Sequence, residues 1–320
     1  MAITERQRVQ RRKSLGSSDM AAVMGVDPYR TAYDVWLDKT GQLTDLESNP
    51  AMEAGQRFES ALIEFARDEL GPIKANVRRV DNKHHLAANT DGMMIETGEP
   101  VEGKTSGLIA PLGPEWGDPG SDHLPEQHII QAHVHLTCIS ANGGDVPAAC
   151  HVPTFLGGRG FVMFKVKADL ELIGMIREAA LKFWTDHVKT ERPPEQSEPS
   201  LDVAKRILRL EGERVAVDTD IAQDWVNAAI DMKHAKECEE TARARLLATM
   251  ADAEIAVGDG VPVVSREGGE VEVTYFEQAS RRVNTKMLRE LYPEAFAECT
   301  QPSYYRVIRQ RRIRHHKRLI

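Results

Sequence analysis

Thr90-Asp91-Gly92 and Val101-Glu102-Gly103-Lys104 are two short apolar stretches joined by Glu96-Thr97-Gly98-Glu99-Pro100. The Gly and Pro of the connection predict a turn and the apolar residues on either side predict strands. Side chains alternate along a strand, so Glu102 and Lys104 share a face, while Gly103 lets a ligand approach the backbone. Two carboxylates and an amine thus gather near one point. Mg²⁺ takes one or two carboxylates together with a substrate phosphate, and a neighbouring Lys can orient or deprotonate an attacking water. The chemistry suggested is phosphodiester hydrolysis. The same residues also suit a solvated strand face and a Thr-Asp-Gly turn, so the surrounding chain has to decide between the two.

Upstream, Ser14-Leu15-Gly16-Ser17-Ser18-Asp19 reads as a turn and cap opening a short helix over 20–25. A helix start flanked by hydroxyls and arginines can receive a phosphate. A second helix runs over 32–39, and a stronger one over 52–70 carries Phe58, Leu62 and Phe65 at helical spacing before Gly71-Pro72. Glu59 lies at the margin of that apolar stripe. Strands are expected at 76–80 and 85–88.

Downstream, residues 106–125 form a loop rich in Gly and Pro, and Pro125 introduces a helix over 126–140. His128, Gln131 and His135 share one face of that helix. The histidines lack a third partner at metal-ligand spacing, whereas the Gln131 amide can hold a water or a phosphate oxygen. Strands over 146–152 and 161–166 are joined by Gly157-Gly158-Arg159-Gly160, and Asp169 caps a helix reaching about 188. The pattern α–β–β–β–α–β–β–α defines an α/β (α+β) class: a mixed sheet flanked by helices over residues 1–190. A Pro-rich linker follows at 191–200, then an accessory region over 201–320. The accessory region is read as a long amphipathic helix over 218–253, strands over 256–264 and 271–276, a helix over 285–298 capped by Asn284, and a basic strand over 304–313.

The 320 residues suffice for two domains, and 41% hydrophobic with 28% charged content is that of a globular protein with no membrane-spanning run. With no signal-type segment at the start, a cytoplasmic location is expected. Cys138, Cys150, Cys238 and Cys299 have no paired spacing, which excludes a zinc ribbon or disulfide framework. A net charge of −8 excludes a protein that coats DNA over its whole surface. Basic residues gather instead at Arg6, Arg8, Arg11, Arg12 and Lys13, at Arg281 and Arg282, and from Arg306 to Arg318.

Arg11-Arg12-Lys13-Ser14-Leu15-Gly16-Ser17-Ser18-Asp19, Gly55-Gln56-Arg57-Phe58-Glu59, Asn89-Thr90-Asp91-Gly92, Glu102-Gly103-Lys104 and Gln131-Ala132-His133 occur in the order and approximate spacing of the YqaJ-type viral recombinases. That family resembles phage lambda exonuclease within the PD-(D/E)xK nuclease superfamily, and the resemblance covers roughly residues 8–188. It implies a restriction-endonuclease-like core and a Mg²⁺-dependent enzyme, with two ions and Mn²⁺ as a substitute, that digests duplex DNA from the 5′ end. The product is a 3′ single strand for an annealing or single-strand-binding partner, and the assembly implied is a homotrimer. Carried over by position, Asp91, Glu102, Glu59 and the Gly103 carbonyl resemble metal ligands, Lys104 the water-activating lysine and Gln131 the active-site glutamine. Arg11 or Arg12, with Ser18, resembles the 5′-phosphate pocket, and alignment favours Arg11. His128 stands where lambda exonuclease has a tyrosine, and His133 where a second glutamine is frequent. Two other readings of the residues stay open: a structure- or sequence-selective endonuclease on the same core, and a non-catalytic DNA-binding or assembly protein.

Overall fold

The computed structural model describes residues 9–44, 50–108, 112–141, 144–195, 197–207, 214–256, 263–264, 273–275, 277 and 284–300. Two compact units divide between Gly212 and Glu213.

The first unit is built on a seven-stranded mixed sheet. Strands β1 (Leu15–Gly16), β2 (Ile73–Asp81), β3 (Leu86–Met94), β4 (Pro100–Val101), β5 (Lys104–Ser106), β6 (Ala149–Leu156) and β7 (Gly160–Lys167) compose it. One edge of β3 pairs antiparallel with β2; its other edge takes β1 in parallel at Leu86–Ala87 and β4 antiparallel at Gly92–Met93. β6 is shared likewise, with β7 antiparallel on one edge and β4 then β5 parallel on the other. The chain therefore leaves β3 after Val101 and continues along β6 from Lys104, opening a fork at Glu102-Gly103.

Helices α1 (Asp19–Val23), α2 (Ala32–Lys39), α3 (Pro50–Leu70), α4 (Glu126–Ser140), α5 (Leu170–Phe183) and α6 (Leu201–Lys205) complete this unit. α3 packs with Ile63 and Ala66 on Ile73 and Val101. The opposite face of the sheet is covered by α4, whose Ala132 and Leu136 meet Cys150, Val152, Leu156 and Phe164. Alternation in β6 produces the two-sidedness, since Leu156 lies in that second core while Phe155 stacks on Phe58 of α3, with ring centroids 4.8 Å apart. A third core joins Leu15, Met20, Leu37, Val134, Ile176 and Phe183.

Several expectations change in detail. β2 and β3 are each nine residues long, well beyond 76–80 and 85–88, and β3 takes in Asp91, where a strand was expected. β6 covers Ala149–Leu156, three residues later than expected. Asp169 Oδ1 accepts from the Glu171 and Leu172 amides as a cap should. Beyond Phe183 the helix widens to a π-turn at Trp184–Val188, whose His187 carbonyl accepts from the Trp36 indole.

The expected linker is part of the first unit. Ser197 Oγ accepts from the Tyr33 amide, the Glu198 carbonyl from the Thr31 hydroxyl, and Asp34 Oδ1 from the Ser200 amide, while Val203 enters the core. Pro and Ser are found where a strap must turn as well as where a linker must bend, so composition did not separate the two.

In the second unit, α7 (Thr219–Met250) begins at Asp218, whose side chain accepts from the Asp220 amide. Ile221 and Met232 on its apolar stripe are exposed, while Met250 is buried. β8 (Ile255–Ala256) pairs antiparallel with β9 (Val273–Thr274). The helix expected over 285–298 is two, α8 (Thr285–Leu291) and α9 (Pro293–Cys299), because Pro293 has no N–H to continue the ladder and instead opens a new helix. Asn284 caps α8 by accepting from the Met287 amide. The basic strand over 304–313, Arg281 and Arg282 lie outside the described residues.

Candidate active site

The fork at Glu102-Gly103 opens onto a cavity of about 310 Å³ lined by Gly55, Gln56, Glu59 and Leu62 of α3 and by Asp91, Glu102, Gly103, Lys104 and Thr105. Continuing the β3–β4 register one step past Gly92 and Val101 would set Asp91 opposite Glu102, but the strands have parted there. Released from the ladder, the Gly103 amide donates to Asp91 Oδ2 at 2.8 Å. A Cβ on Gly103 would stand 3.1 Å from Leu62 Cδ1 and 3.4 Å from Asp91 Oδ2, so glycine keeps this approach open. On the other edge of β3 the ladder with β2 omits one step, that of Asn76, which has φ 53° and lies across from Asp91. Asn tolerates this left-handed conformation better than most residues.

Glu102 is buried, and its Oε1 accepts from Lys104 Nζ and from Gln131 Nε2, each at 2.6 Å. Glu102 and Lys104 meet as expected, but the single strand expected over 101–104 is broken: Glu102 lies in the gap between β4 and β5, and α4 supplies Gln131 from above the sheet. Glu102 Oε2 has a different neighbour. His135 Nε2 stands 3.1 Å away, yet the angles are not those of a hydrogen bond, and among the described residues neither atom completes one.

The two carboxylates are driven apart electrostatically. Burial and the adjacent Glu102 carboxylate push Asp91 up to about 7, against the opposing pull of the Gly103 amide and Lys104; Glu59 adds a smaller push. Burial alone would raise Glu102 too, but Lys104 and His135 outweigh it and hold Glu102 down at about 2. His128, packed beside Trp116, falls to about 3 through burial and the nearby Lys104 charge, which keeps its imidazole neutral at physiological pH.

The oxygen donors suit a hard cation: an acid raised by a neighbouring acid is stabilised when a positive charge sits between them, and Glu102 Oε2 is a buried oxygen without a hydrogen bond among the described residues. Among the described residues no three His, Cys, Asp or Glu side chains form a ready-made metal cage. Mg²⁺ does not require one, because it keeps waters and shares substrate oxygens.

Asp91, Glu102, Gly103, Lys104 and Glu59 therefore meet at one cavity, and Gln131 joins them through Glu102. Arg11, Arg12 and Ser18 are not among the residues lining it. Arg12 lies over Gly41, where a Cβ would come within 3.0 Å of the guanidinium carbon. Ser18 is exposed at the start of α1 and its side chain makes no capping bond. Beside it, Asp19 is buried, accepts from the Gly16 amide and pairs with Lys39 at 2.6 Å and Arg30 at 2.9 Å. Burial works against that charge, but the two cations prevail and hold Asp19 well below the usual carboxylate range. Lys39 Nζ also donates to the Arg11 carbonyl, anchoring the main chain of the basic arm.

His133 is structural: Nδ1 meets the Ile129 carbonyl and Nε2 accepts from the Asp169 amide. His135 is the site residue that sequence reading passed over. The available signal was its place four residues after Gln131 on the same helical face.

Residues 8–142 match the model of the YqaJ-like viral recombinase domain. The matched stretch carries the motifs on which the resemblance was read, from Arg11 to His133. The chain is 25% identical over 313 residues, 93% of its own length and 91% of the relative's, to the uncharacterized protein YqaJ of Bacillus subtilis strain 168. Among solved structures, an alkaline exonuclease from Laribacter hongkongensis aligns at 17% identity and a TM-score of 0.44, over 59% of this chain and 94% of that one. A phage-related exonuclease from Haemophilus somnus 129PT aligns at 14% identity and a TM-score of 0.42, over 56% and 96%.

Proposed function

We propose that this chain is a Mg²⁺-dependent nuclease, an exonuclease that degrades one strand of duplex DNA from its 5′ end and leaves a 3′ single strand for recombination. The observation that carries the reading is the convergence of Asp91, Glu102, Lys104 and Glu59 on one cavity, with Gln131 bound to Glu102. The family match of residues 8–142 supports it. Asp91, Glu102, Glu59 and the Gly103 carbonyl are the groups proposed to hold one or two Mg²⁺ ions, with Mn²⁺ as a substitute. A divalent cation bound there supplies charge stabilisation at the scissile phosphate and makes a water available as a nucleophile near neutral pH. Lys104, fixed by Glu102, presents an ammonium to that water or to a phosphate oxygen. Gln131 fixes the Glu102 carboxylate from the other side. Arg11 or Arg12 with Ser18 receives the 5′-phosphate, duplex ends are the substrate, and an annealing or single-strand-binding protein and further copies of the chain, as a trimer, are the partners.

The test is digestion of an end-labelled linear duplex and of a covalently closed circle, in Mg²⁺ and in excess chelator. Mononucleotide release from the linear duplex in Mg²⁺ alone is expected. Cutting of the circle would favour the endonuclease reading, and undiminished digestion in chelator would remove the metal.

A further inference from the structure

Resting on that reading of the site, we propose that His135 is a positioning residue for Glu102, donating from Nε2 to Oε2 so that the carboxylate faces the cation in one fixed orientation. His135 is fully buried, and neither ring nitrogen completes a hydrogen bond among the described residues. A buried polar group left in that state destabilises the fold. A residue kept only for packing would lose nothing by becoming Leu at this position.

The geometry assigns its partner. Nε2 stands 3.1 Å from Glu102 Oε2, itself buried and without a hydrogen bond among the described residues. A bare lone pair on Nε2 would face a carboxylate oxygen and be repelled, so Nε2 carries its proton toward Glu102. Lys104 and Gln131 both bind Oε1, so they hold only one end of the carboxylate. Torsion about its last side-chain bond is broad and roughly two-fold, and a donor at the second oxygen is what restricts it. Donors of this kind, one step removed from a cation, typically alter metal affinity 10- to 100-fold when removed.

The experiment is Mn²⁺ titration by calorimetry of the full-length protein, with thermal unfolding in chelator alongside. Three variants separate the roles. His135→Leu removes the donor and keeps the bulk; His135→Asn places an amide near the Nδ1 position, short of Oε2; His135→Gln places one near Nε2. The expected result is a 10- to 100-fold weaker Mn²⁺ affinity in the Leu and Asn variants, affinity within about 3-fold of wild type in the Gln variant, and Tm in chelator unchanged or raised for Leu. Wild-type affinity in the Leu variant, or loss in a folded Gln variant, overturns the proposal; should the Leu variant not fold, the Asn and Gln pair decides it by the same criteria. Asp91→Asn is the control for the underlying site: wild type without Asp91-dependent Mn²⁺ binding would overturn the metal reading itself, an outcome distinct from failure of His135 alone.

Discussion

If Asp91 is held near 7 by burial and by Glu102, its ionised form is a strain on the folded chain, and Asp91→Asn should stabilise the cation-free protein in a pH-dependent way. The sign follows from linkage. A folded-state value above the unfolded one gives stability that is complete below the unfolded value and is lost as pH rises through the folded value. Between the ordinary 3.8 and about 7, at about 1.4 kcal/mol per pH unit, the full loss is about 4 kcal/mol. The same linkage gives a gain for the Asn variant of about 4 kcal/mol at pH 8, about 2 at pH 5.5 and under about 1 at pH 4. The amide side chain of that variant retains an oxygen to accept from the Gly103 N–H, so the 2.8 Å contact need not be lost. The assay is urea unfolding in chelator followed by tryptophan fluorescence in a Trp225→Phe background, because Trp36, Trp116 and Trp184 then report on the first unit alone. Equal stability of the two proteins at pH 8, or a gain at pH 4 as large as that at pH 8, would refute the reasoning. The stabilised variant should also lose Mn²⁺ binding, the exchange of stability for function expected where a site is built on repelling charges.

Lys104→Met leaves Glu102 with Gln131 as its Oε1 donor and should lower turnover about 10²- to 10⁴-fold while Ca²⁺-supported duplex binding persists; near wild-type turnover would take Lys104 out of the mechanism. Gly103→Ala pushes on Leu62 and Asp91 and should cost about 1–3 kcal/mol together with Mn²⁺ affinity, and an unchanged Tm with unchanged affinity would show that the approach is not tight. For the 5′ end, rates on 5′-phosphate and 5′-hydroxyl duplexes should converge in Arg11→Ala and change less in Arg12→Ala, since Arg12 is engaged over Gly41; equal rates on both ends in wild type would reject the pocket.

The elements most legible in the sequence were those fixed by local chemistry. Leu62 at the centre of a 3.6-residue pattern, Pro125 before α4, the Gly157-Gly158-Arg159-Gly160 turn and the Asp169 cap each act within a few residues of themselves. What escaped was set by distant partners. β4 is two residues long and exists because β3 and β6 lie on either side of it. The strap at 197–207 is decided by Tyr33, Thr31 and Asp34, more than 160 residues earlier in the chain. Within the site, the closeness of Glu102 and Lys104 was readable from their spacing, though not the break between β4 and β5 that lies there, and Gln131 was readable from its helical face. For His135 the shared face with Gln131 was the one signal; that it meets Glu102 depends on how α4 sits over the fork.

The fork itself explains why the site is where it is. In an unbroken ladder backbone amides are consumed by neighbouring strands. At Asp91 the regular register fails on both sides: Asn76 drops out of the β2 ladder, and the chain after Val101 has turned toward β6. The first failure bends the backbone at the step facing Asp91, and the second frees the Gly103 amide, which then holds Asp91 Oδ2. Because β4 and β5 both lie along β6, the break costs little sheet, and Glu102 keeps its own amide bonded to the His151 carbonyl at 3.0 Å. His151 is in turn locked by Glu99 at 2.8 Å, in a buried pair one residue before β4. The acid that is held down therefore stands on backbone pinned to β6, and the acid that is pushed up stands where two ladders lapse. That difference in support, as well as in charge, is what makes Asp91 the carboxylate whose state a bound cation would change most.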